Sequence, residues 1–273
     1  MPELPEVEVT RMGIAPLLAD ARIVGVRLGK PLRWPLGCLQ EDLVGQRVHG
    51  VRRRGKYLLL DLDRGILLIH LGMSGRLGFY VKGGDGKEVS AYDHFDLITS
   101  KGVLRLHDPR RFGCVVWIPS EQEGMGKKLL GHLGAEPLSG DFDMEAFVCE
   151  LKKRHAAVKQ VLLGGDVVVG VGNIYANEVL FMARIDPRKS AGKISGRKAR
   201  TLANAIQQVL RQAIAYGGAS LKDFRAVHGE NGLFQIHAKV YGRAKEPCTA
   251  CRRPIKMIQQ GQRSTYFCSY CQR

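Results

Sequence analysis

Four cysteines near the end of the chain have the spacing of a metal site. Cys248 and Cys251 form one CxxC pair, Cys268 and Cys271 form a second, and 16 residues separate the two pairs. Two such pairs match the ligand pattern of a tetrahedral four-thiolate zinc site. A segment this short cannot build its own hydrophobic core, so the metal would supply the folding free energy. The spacing therefore predicts one zinc ion, which is structural because four thiolates leave no open coordination position.

The first residues carry a different kind of chemistry. We expect Met1 to be removed because the small residue Pro2 follows it, and this leaves a secondary amine. With a pKa of about 8, such an amine is partly neutral at neutral pH. It can then condense with an aldehyde carbon to give an iminium ion, and Glu3 is a candidate acid or base beside it. Pro and Glu are also common in a first helical turn, and residue types alone favour that structural role.

The chain is strongly basic. It has 42 Lys and Arg residues against 26 Asp and Glu residues, a formal net charge of +16 in 273 residues. Neutralised phosphates release condensed counterions, so a nucleic acid is the natural partner, although ribosomal and membrane-surface proteins share this signature. No run of 18 uncharged apolar residues is present, and the acidic start MPELPEVE is unlike a secretory signal. We therefore expect a cytoplasmic protein in which Cys38, Cys114 and Cys149 are ordinary thiols.

Hydrophobic periodicity divides the chain into regions. Helical spacing over residues 1–20 is followed by short β-rich runs with turn signals, which predict a β-sandwich. The predicted strands include 57–61, 66–71, 95–99, 103–107 and 113–118; the predicted helices are 143–163, 174–183 and 195–216. We predict an α+β fold. Residues 1–133 form a β-sandwich domain with an N-terminal helix, residues 134–234 form a helical domain, and residues 235–273 form a Cys-rich module.

Several sequence blocks together resemble the formamidopyrimidine-DNA glycosylase family. They occur in the family's order from one end of the chain to the other, so the set is far more specific than any single block. The blocks are MPELPEVE, Arg54-Gly55-Lys56-Tyr57, His70-Leu71-Gly72-Met73, Asp108 to Gly113, Val168 to Glu178, Gly217-Gly218, Val240 to Arg243 and the four cysteines. The resemblance implies that the helical domain is a helix–two-turn–helix domain and that the Cys-rich module is a zinc finger.

By this resemblance the chain would be a bifunctional DNA glycosylase and abasic-site lyase of base-excision repair. A bacterial monomer acting on double-stranded DNA would remove 8-oxoguanine and formamidopyrimidines and nick the strand by β,δ-elimination. Pro2 would attack C1′, with Glu3 as its acid–base partner. Lys56, placed in the strand after Arg52-Arg53-Arg54, would serve β-elimination. Arg263, in the zinc module, would serve δ-elimination and contact a phosphate; from its residue type alone, a solvated loop side chain is an equal alternative.

The resemblance also assigns DNA contacts. A damaged base must be flipped out of the duplex, and a thioether, an arginine and an aromatic ring suit the filling of the void. Met73, Arg110 and Phe112 match the void-filling residues, and His94, Arg154, Lys159 and Asn173 match other DNA contacts. Met73 and Phe112 could instead be ordinary core residues, but their settings, LGMSG and RRFG, suggest turns. Gly170 and Gly172 would let backbone N–H groups approach a phosphate at a helix N-terminus.

The sequence departs from the family pattern in two places. Tyr92 replaces the first His of a His-x-His motif, a DNA contact of the family, and Gly164 replaces a common Asp, which predicts a looser turn. An endonuclease VIII-like enzyme for oxidised pyrimidines shares the fold, the zinc and the Pro-Glu start, but Leu4 favours the purine enzyme. A non-catalytic zinc-ribbon DNA-binding protein would account for the charge and the cysteines, but it does not require Pro2 and Glu3. The predicted lesion-reading loop is near 219–232.

Overall fold

The computed structural model describes residues 1–81, 88–219 and 233–273. The chain divides into two compact units: unit 1 comprises residues 1–132 and 217–232, and unit 2 comprises residues 133–216 and 233–273. The domain boundaries predicted after residues 133 and 234 stay predictions. Apart from Ala219, the predicted lesion-reading loop lies outside the described residues. No helix in the described ranges is long and apolar enough to cross a membrane.

Unit 1 contains the predicted N-terminal helix and two four-stranded sheets in which every strand pair is antiparallel. The helix is α1 (Leu4–Leu18). The first sheet has the order β1 (Ile23–Leu28), β6 (Asp93–Thr99), β7 (Gly102–His107) and β5 (Arg76–Val81). The second has the order β2 (Val48–Arg54), β3 (Tyr57–Leu62), β4 (Ile66–His70) and β8 (Cys114–Ile118). A short helix, α2 (Gly124–Leu130), follows β8.

A single hydrophobic core holds α1 against both sheets. Ile14 and Leu18 of α1 are fully buried, as is Leu60 of the second sheet, and Phe95 and Leu97 of the first sheet belong to the same cluster. Burying one such side chain contributes about 1.5–3 kcal/mol. The core therefore fixes the position of α1, and with it the residues that begin the helix.

Unit 2 is helical and ends in a β-hairpin. Its helices are α3 (Met144–Lys152), α4 (Val158–Gly164), α5 (Asn173–Met182) and α6 (Gly196–Ala215), and its hairpin pairs β9 (Lys256–Gln260) with β10 (Arg263–Phe267). Asp143 caps α3 by accepting hydrogen bonds from two backbone N–H groups of the first turn, at 2.9 and 3.0 Å, as expected for an N-cap aspartate. The helices predicted over 174–183 and 195–216 are confirmed as α5 and α6.

The single helix predicted over 143–163 is wrong, because two helices, α3 and α4, occupy this range. Between them, Ala157 pairs with Ser190 in an antiparallel bridge. The N–H of Val158 donates to the carbonyl of Lys189 at 2.8 Å, and the N–H of Ala191 donates to the carbonyl of Ala156 at 2.9 Å. These long-range backbone bonds replace the local bonds that a continuous helix would need.

Candidate active site and zinc centre

Pro2 and Glu3 lie buried immediately before the first turn of α1. Glu3 is the N-cap residue and is 3% exposed. Its backbone N–H donates to Oε2 of Glu6 at 2.7 Å, and Oε1 of Glu6 accepts from the N–H of Ala219, also at 2.7 Å. Glu6 is fully buried, and a Cβ on Gly218 would lie only 2.9 Å from its Oε1. One buried carboxylate thus fastens the start of α1 to residues 218–219.

Lys56 lies in the two-residue turn between β2 and β3, so the prediction that it lies in a strand is wrong. The turn needs a left-handed residue, and Gly55 supplies it with φ of 58°. Arg53 ties this hairpin to α1, because its Nε lies 2.7 Å from Oε2 of Glu8. Burial raises the pKa of Glu8, but hydrogen bonds from Arg11 and Arg53 outweigh it, and the net pKa is below the ordinary value. The helix that begins after Pro2 is therefore ion-paired to the hairpin that carries Lys56.

His70, at the end of β4, is a further candidate for the active site. In the sequence it is part of the block His70-Leu71-Gly72-Met73, and no role was predicted for it. Its Nδ1 accepts a hydrogen bond from the Gly72 N–H at 2.9 Å. Burial, together with the positive charges of Lys56 and Arg33, lowers the pKa of His70 to about 4. The ring is therefore neutral at neutral pH, and its proton is on Nε2 because Nδ1 is an acceptor. A neutral N–H donor thus stands near the Lys56 ammonium.

Met73, Arg110 and Phe112 lie on two turns, residues 72–75 and residues 108–113, which we call the wedge loops. Phe112 is 47% exposed, so it is not a core residue, and Met73 is partly buried. The Arg110 guanidinium lies 4.9 Å from the centroid of the Phe112 ring. The turn-like settings expected for these residues are confirmed.

Asp108 joins the two wedge loops. Its side chain is fully buried; Oδ1 accepts from the Ser74 hydroxyl at 2.9 Å and Oδ2 accepts from the Gly113 N–H at 2.8 Å. Gly72 has φ of 64°, and a Cβ there would lie 2.4 Å from backbone atoms of Phe112 and Gly113. The loops therefore pack backbone against backbone, which only glycine permits at this position.

In unit 2, α5 begins at Asn173 with Gly172 as its N-cap. A glycine cap has no side chain that could accept hydrogen bonds from the first-turn amides. The segment that precedes the helix turns at Gly170, which has a left-handed backbone with φ of 83°. Oδ1 of Asn173 is buried without a hydrogen-bond partner among the described residues. A helix start of this kind suits an anion.

The β9–β10 hairpin presents Arg263 as an exposed residue at the first position of β10. Lys159 of α4 is fully buried, and its ammonium donates to the Ser264 carbonyl at 2.9 Å and to the Thr265 hydroxyl at 2.7 Å. From α5, Oδ1 of Asn177 accepts from the Tyr266 N–H at 2.7 Å. Two helices thus fix the strand that begins with Arg263.

The four cysteines predicted as ligands come together in unit 2. Their Sγ atoms all lie within 4.8 Å of one another, with 4.0 Å between Cys248 and Cys271 and 3.4 Å between Cys251 and Cys268. Tetrahedral zinc with bonds of about 2.3 Å places its sulfurs about 3.8 Å apart. Burial and the neighbouring thiols raise the pKa of Cys271 to about 12, a cost that a coordinated cation removes by holding the sulfurs as thiolates. The site fits one zinc ion.

Comparison with protein families covers most of the chain. Residues 1–115 match the formamidopyrimidine-DNA glycosylase N-terminal domain, and residues 133–225 match the H2TH domain of the same enzymes. Residues 245–273 match a zinc finger found in FPG and IleRS. The chain belongs to the formamidopyrimidine-DNA glycosylase family. It is a DNA repair glycosylase with a structural zinc finger.

Individual relatives agree over their whole length. The chain is 58% identical to a formamidopyrimidine-DNA glycosylase of Variovorax paradoxus over 273 residues, all of both chains. The MutM (FPG) protein of Thermus thermophilus superposes with a TM-score of 0.87 at 37% identity, covering 99% of this chain and 98% of that one. A Lactococcus lactis FPG mutant in complex with a Fapy-dG containing DNA superposes with a TM-score of 0.89 at 32% identity, covering both chains fully.

Two of the DNA contacts predicted for this glycosylase are buried. His94 in β6 is 3% exposed, both ring nitrogens lack a hydrogen-bond partner among the described residues, and burial lowers its pKa. Lys159 is fully enclosed between α4 and the hairpin. The DNA-contact roles of His94 and Lys159 stay predictions, and in this structure Lys159 supports the strand that begins with Arg263. Arg154 is partly exposed and pairs with Asp166 at 3.0 Å.

Sequence reasoning also missed a carboxylate that organises the glycosylase's second unit. Glu178 of α5 is 4% exposed. It accepts hydrogen bonds from three consecutive backbone N–H groups, those of Lys239, Val240 and Tyr241, at 2.8, 3.0 and 2.8 Å. The available signal was an acidic residue inside an otherwise apolar helix, because such a residue must find donors when buried. Glu178 thereby fixes the chain that leads into the zinc finger.

Proposed function

We propose that this chain excises oxidised purines from double-stranded DNA and then cuts the resulting abasic strand. Membership of the glycosylase family supports the first step, as does the Lactococcus lactis relative, which binds DNA containing Fapy-dG. The observation that carries the proposal is the buried Pro2–Glu3 pair, held in front of α1 by Glu6. Glu3 and Glu6 form a capping box at the start of α1, and this box fixes Pro2 beside the Glu3 carboxyl group.

Covalent catalysis begins when removal of Met1 frees the Pro2 nitrogen. Its lone pair forms a bond to C1′ while the bond between C1′ and the damaged base breaks, and the base leaves with that electron pair and a proton. Opening of the sugar at O4′, which takes up a proton, gives an iminium ion between Pro2 and C1′. Glu3, the neighbouring carboxyl group, is the proton donor and acceptor for these steps.

The iminium ion then acts as an electron sink for strand cleavage. Loss of a proton from C2′ and departure of the 3′ phosphate complete β-elimination. Loss of a proton from C4′ and departure of the 5′ phosphate from C5′ then complete δ-elimination. Lys56 assists the first departure and Arg263 the second, because a cation stabilises a leaving phosphate. The neutral Nε2–H of His70 is a second donor for a phosphate near Lys56.

The remaining residues hold the flipped-out DNA. Arg110 and Phe112 fill the void together with Met73, since the wedge loops present these side chains on one rigid base. The start of α5, with Asn173, binds a phosphate. Arg154 reaches a phosphate by giving up its pair with Asp166.

Borohydride trapping tests the proposal. The protein is incubated with a duplex containing 8-oxoguanine opposite cytosine, sodium borohydride is added, and a covalent protein–DNA band is sought while the mature N-terminal residue is sequenced. We expect a band, a chain that starts at Pro2, and loss of the band in Pro2→Gly with DNA binding retained. Pro119→Gly is the matched control, because Pro119 is exposed between β8 and α2.

The outcomes separate the alternatives. A band only on an oxidised-pyrimidine duplex would identify an endonuclease VIII-like enzyme. No band on either duplex, nor on a plain abasic site, would leave a DNA-binding protein without the chemistry. Loss of DNA binding in Pro2→Gly would make Pro2 a structural residue.

A further inference from the structure

A cavity of about 420 Å³ lies in unit 1. Its walls are the segment 28–36, which follows β1, and residues 94, 95 and 115 of β6 and β8. This volume falls within the range of about 300–1,000 Å³ typical of small-molecule sites. None of the steps proposed for base excision uses the segment 28–36.

The segment is a preformed wall because it is anchored at both ends. The Gly29 N–H donates to the carbonyl of His94 in β6 at 2.9 Å, and the Trp117 N–H of β8 donates to the carbonyl of Leu36 at 2.6 Å. A Cβ on Gly29 would lie 2.5 Å from a backbone oxygen of β6, so the approach is as close as backbone allows. A wall fixed in advance lowers the ordering cost of binding a ligand.

The lining combines apolar surface, one indole and cations. Leu32 and Phe95 represent the apolar part, and Trp34 adds an indole with the Arg33 guanidinium 5.8 Å from its ring centroid. Lys30 and Arg33 are exposed members of the same wall. Lys128 adds a third positive charge, with its ammonium 4.4 Å from the centroid of the Trp34 ring. A planar aromatic ring stacks on an indole, and an anionic group on that ring is attracted by the cations.

His94 supplies an independent indication. It lines the cavity, and both of its ring nitrogens are buried without a hydrogen-bond partner among the described residues. Leaving a buried polar group without a partner is unfavourable, and such groups are rare in folded proteins. The cavity adjoins this ring on one side, and the charge of Asp108 acts on the ring as well.

We propose that this cavity is a binding site for a small planar aromatic anion of the size of a nucleoside monophosphate. The aromatic ring lies against Trp34 and the apolar wall, and the anionic group lies at Lys30 and Arg33. The site borders a wedge loop, because the Arg33 N–H donates to the carbonyl of Gly113 at 3.3 Å. The wall of the site is therefore hydrogen-bonded to the loop that carries Phe112.

Tryptophan fluorescence tests this assignment directly. The chain has two tryptophans, so Trp117→Phe leaves Trp34 as the only reporter. Guanosine 5′-monophosphate is the probe and guanosine is its neutral counterpart. We expect saturable quenching by the monophosphate, at least about tenfold weaker binding of guanosine, and a similar loss for the monophosphate in the double variant Lys30→Gln, Arg33→Gln.

A pair of size variants places the ligand. Leu32→Phe fills the cavity and should abolish quenching, whereas Leu39→Phe, at a 69% exposed position outside the cavity, should leave the affinity unchanged. Circular dichroism melting checks that both variants fold. Absence of saturation up to about 10 mM overturns the proposal, as does unchanged binding in folded Leu32→Phe. If Leu32→Phe does not fold, unchanged monophosphate affinity in the Lys30 and Arg33 double variant overturns it.

Discussion

The β2–β3 hairpin of unit 1 and the β9–β10 hairpin of unit 2 each present one candidate cation, Lys56 and Arg263, but they are stabilised in different ways. The first hairpin contributes fully buried leucines such as Leu58 and Leu60 to a core shared with α1 and the first sheet. The second has few buried apolar side chains, among them Phe267, and depends on zinc and on polar contacts from α4 and α5. The β2–β3 hairpin is therefore stabilised by many apolar contacts. The β9–β10 hairpin is stabilised by a few polar contacts and the metal.

This difference determines how each hairpin loses stability when a residue is substituted. A core loses part of its stability with each truncated side chain, whereas a metal-held segment loses most of it with one ligand. The contrast also separates the two cations proposed for strand cleavage. Damage to the zinc site removes Arg263 while leaving Lys56 in place.

The largest effect is expected at the zinc site. Cys248→Ser should lose zinc and weaken DNA binding at least about 100-fold, because binding of structural zinc contributes about 10–16 kcal/mol to folding. Both tryptophans, Trp34 and Trp117, lie in unit 1, so the thermal transition followed by their fluorescence should hardly change. Zinc content and DNA affinity are measured in parallel, with exposed Cys149→Ser as the control. A zinc-free variant that still bound and cut DNA would show that the β9–β10 hairpin does not depend on zinc.

A smaller effect is expected where the zinc hairpin meets α4. Lys159→Met removes the buried ammonium and leaves the Ser264 carbonyl and the Thr265 hydroxyl without this donor, which should cost about 1–3 kcal/mol in the stability of unit 2. Zinc content should stay normal. Denaturant unfolding measures the change, and Lys153→Met, at a lysine that is 65% exposed, is the matched control. If both lysine variants behaved alike, the hairpin would be held by zinc alone.

In unit 1, Glu8→Gln tests the ion pair that joins α1 to the Lys56 hairpin. We expect a loss of about 1–2 kcal/mol at neutral pH, because charged hydrogen bonds to Arg11 and Arg53 are removed. The pKa of Glu8 is lowered in the folded protein, so the stabilisation is fully present above the ordinary value of 4.5 and is lost as the pH falls through the folded value. Wild type and variant should therefore converge in acid.

Unfolding curves at several pH values give this comparison. Glu150→Gln, which breaks an exposed pair with Lys153, should change nothing measurable. A Glu8→Gln deficit that persisted unchanged in acid would mean that the carboxylate charge does not stabilise the junction.

The features predicted well from the sequence depend on residues that are close together in the chain. The cysteine spacing located the metal site, because two short knuckles and one ion need nothing else from the fold. Short β-rich runs with turn signals predicted the sandwich, and the helical spacing of apolar residues 202, 206 and 210 predicted α6. Turn-like settings predicted the exposure of Phe112.

The features that local patterns did not reveal depend on partners far away in the sequence. Lys159 looks like a surface cation until Ser264 and Thr265, more than 100 residues later, enclose it. The break between α3 and α4 is made by residues 189–191. His94 lies inside a sheet whose strand order, β1-β6-β7-β5, no local pattern contains.

The Asp108 carboxylate that joins the wedge loops has a consequence for how the protein samples DNA. Because Ser74 and Gly113 donate to the same buried group, the void-filling role proposed for Met73 and Phe112 would be performed by two loops that move together. The two loops need no ordering relative to each other before such an insertion, which lowers the entropic cost of each trial. Sampling along a duplex would then test how easily each base pair opens. Weakly stacked or mispaired sites would be detected by their deformability before any base is recognised chemically.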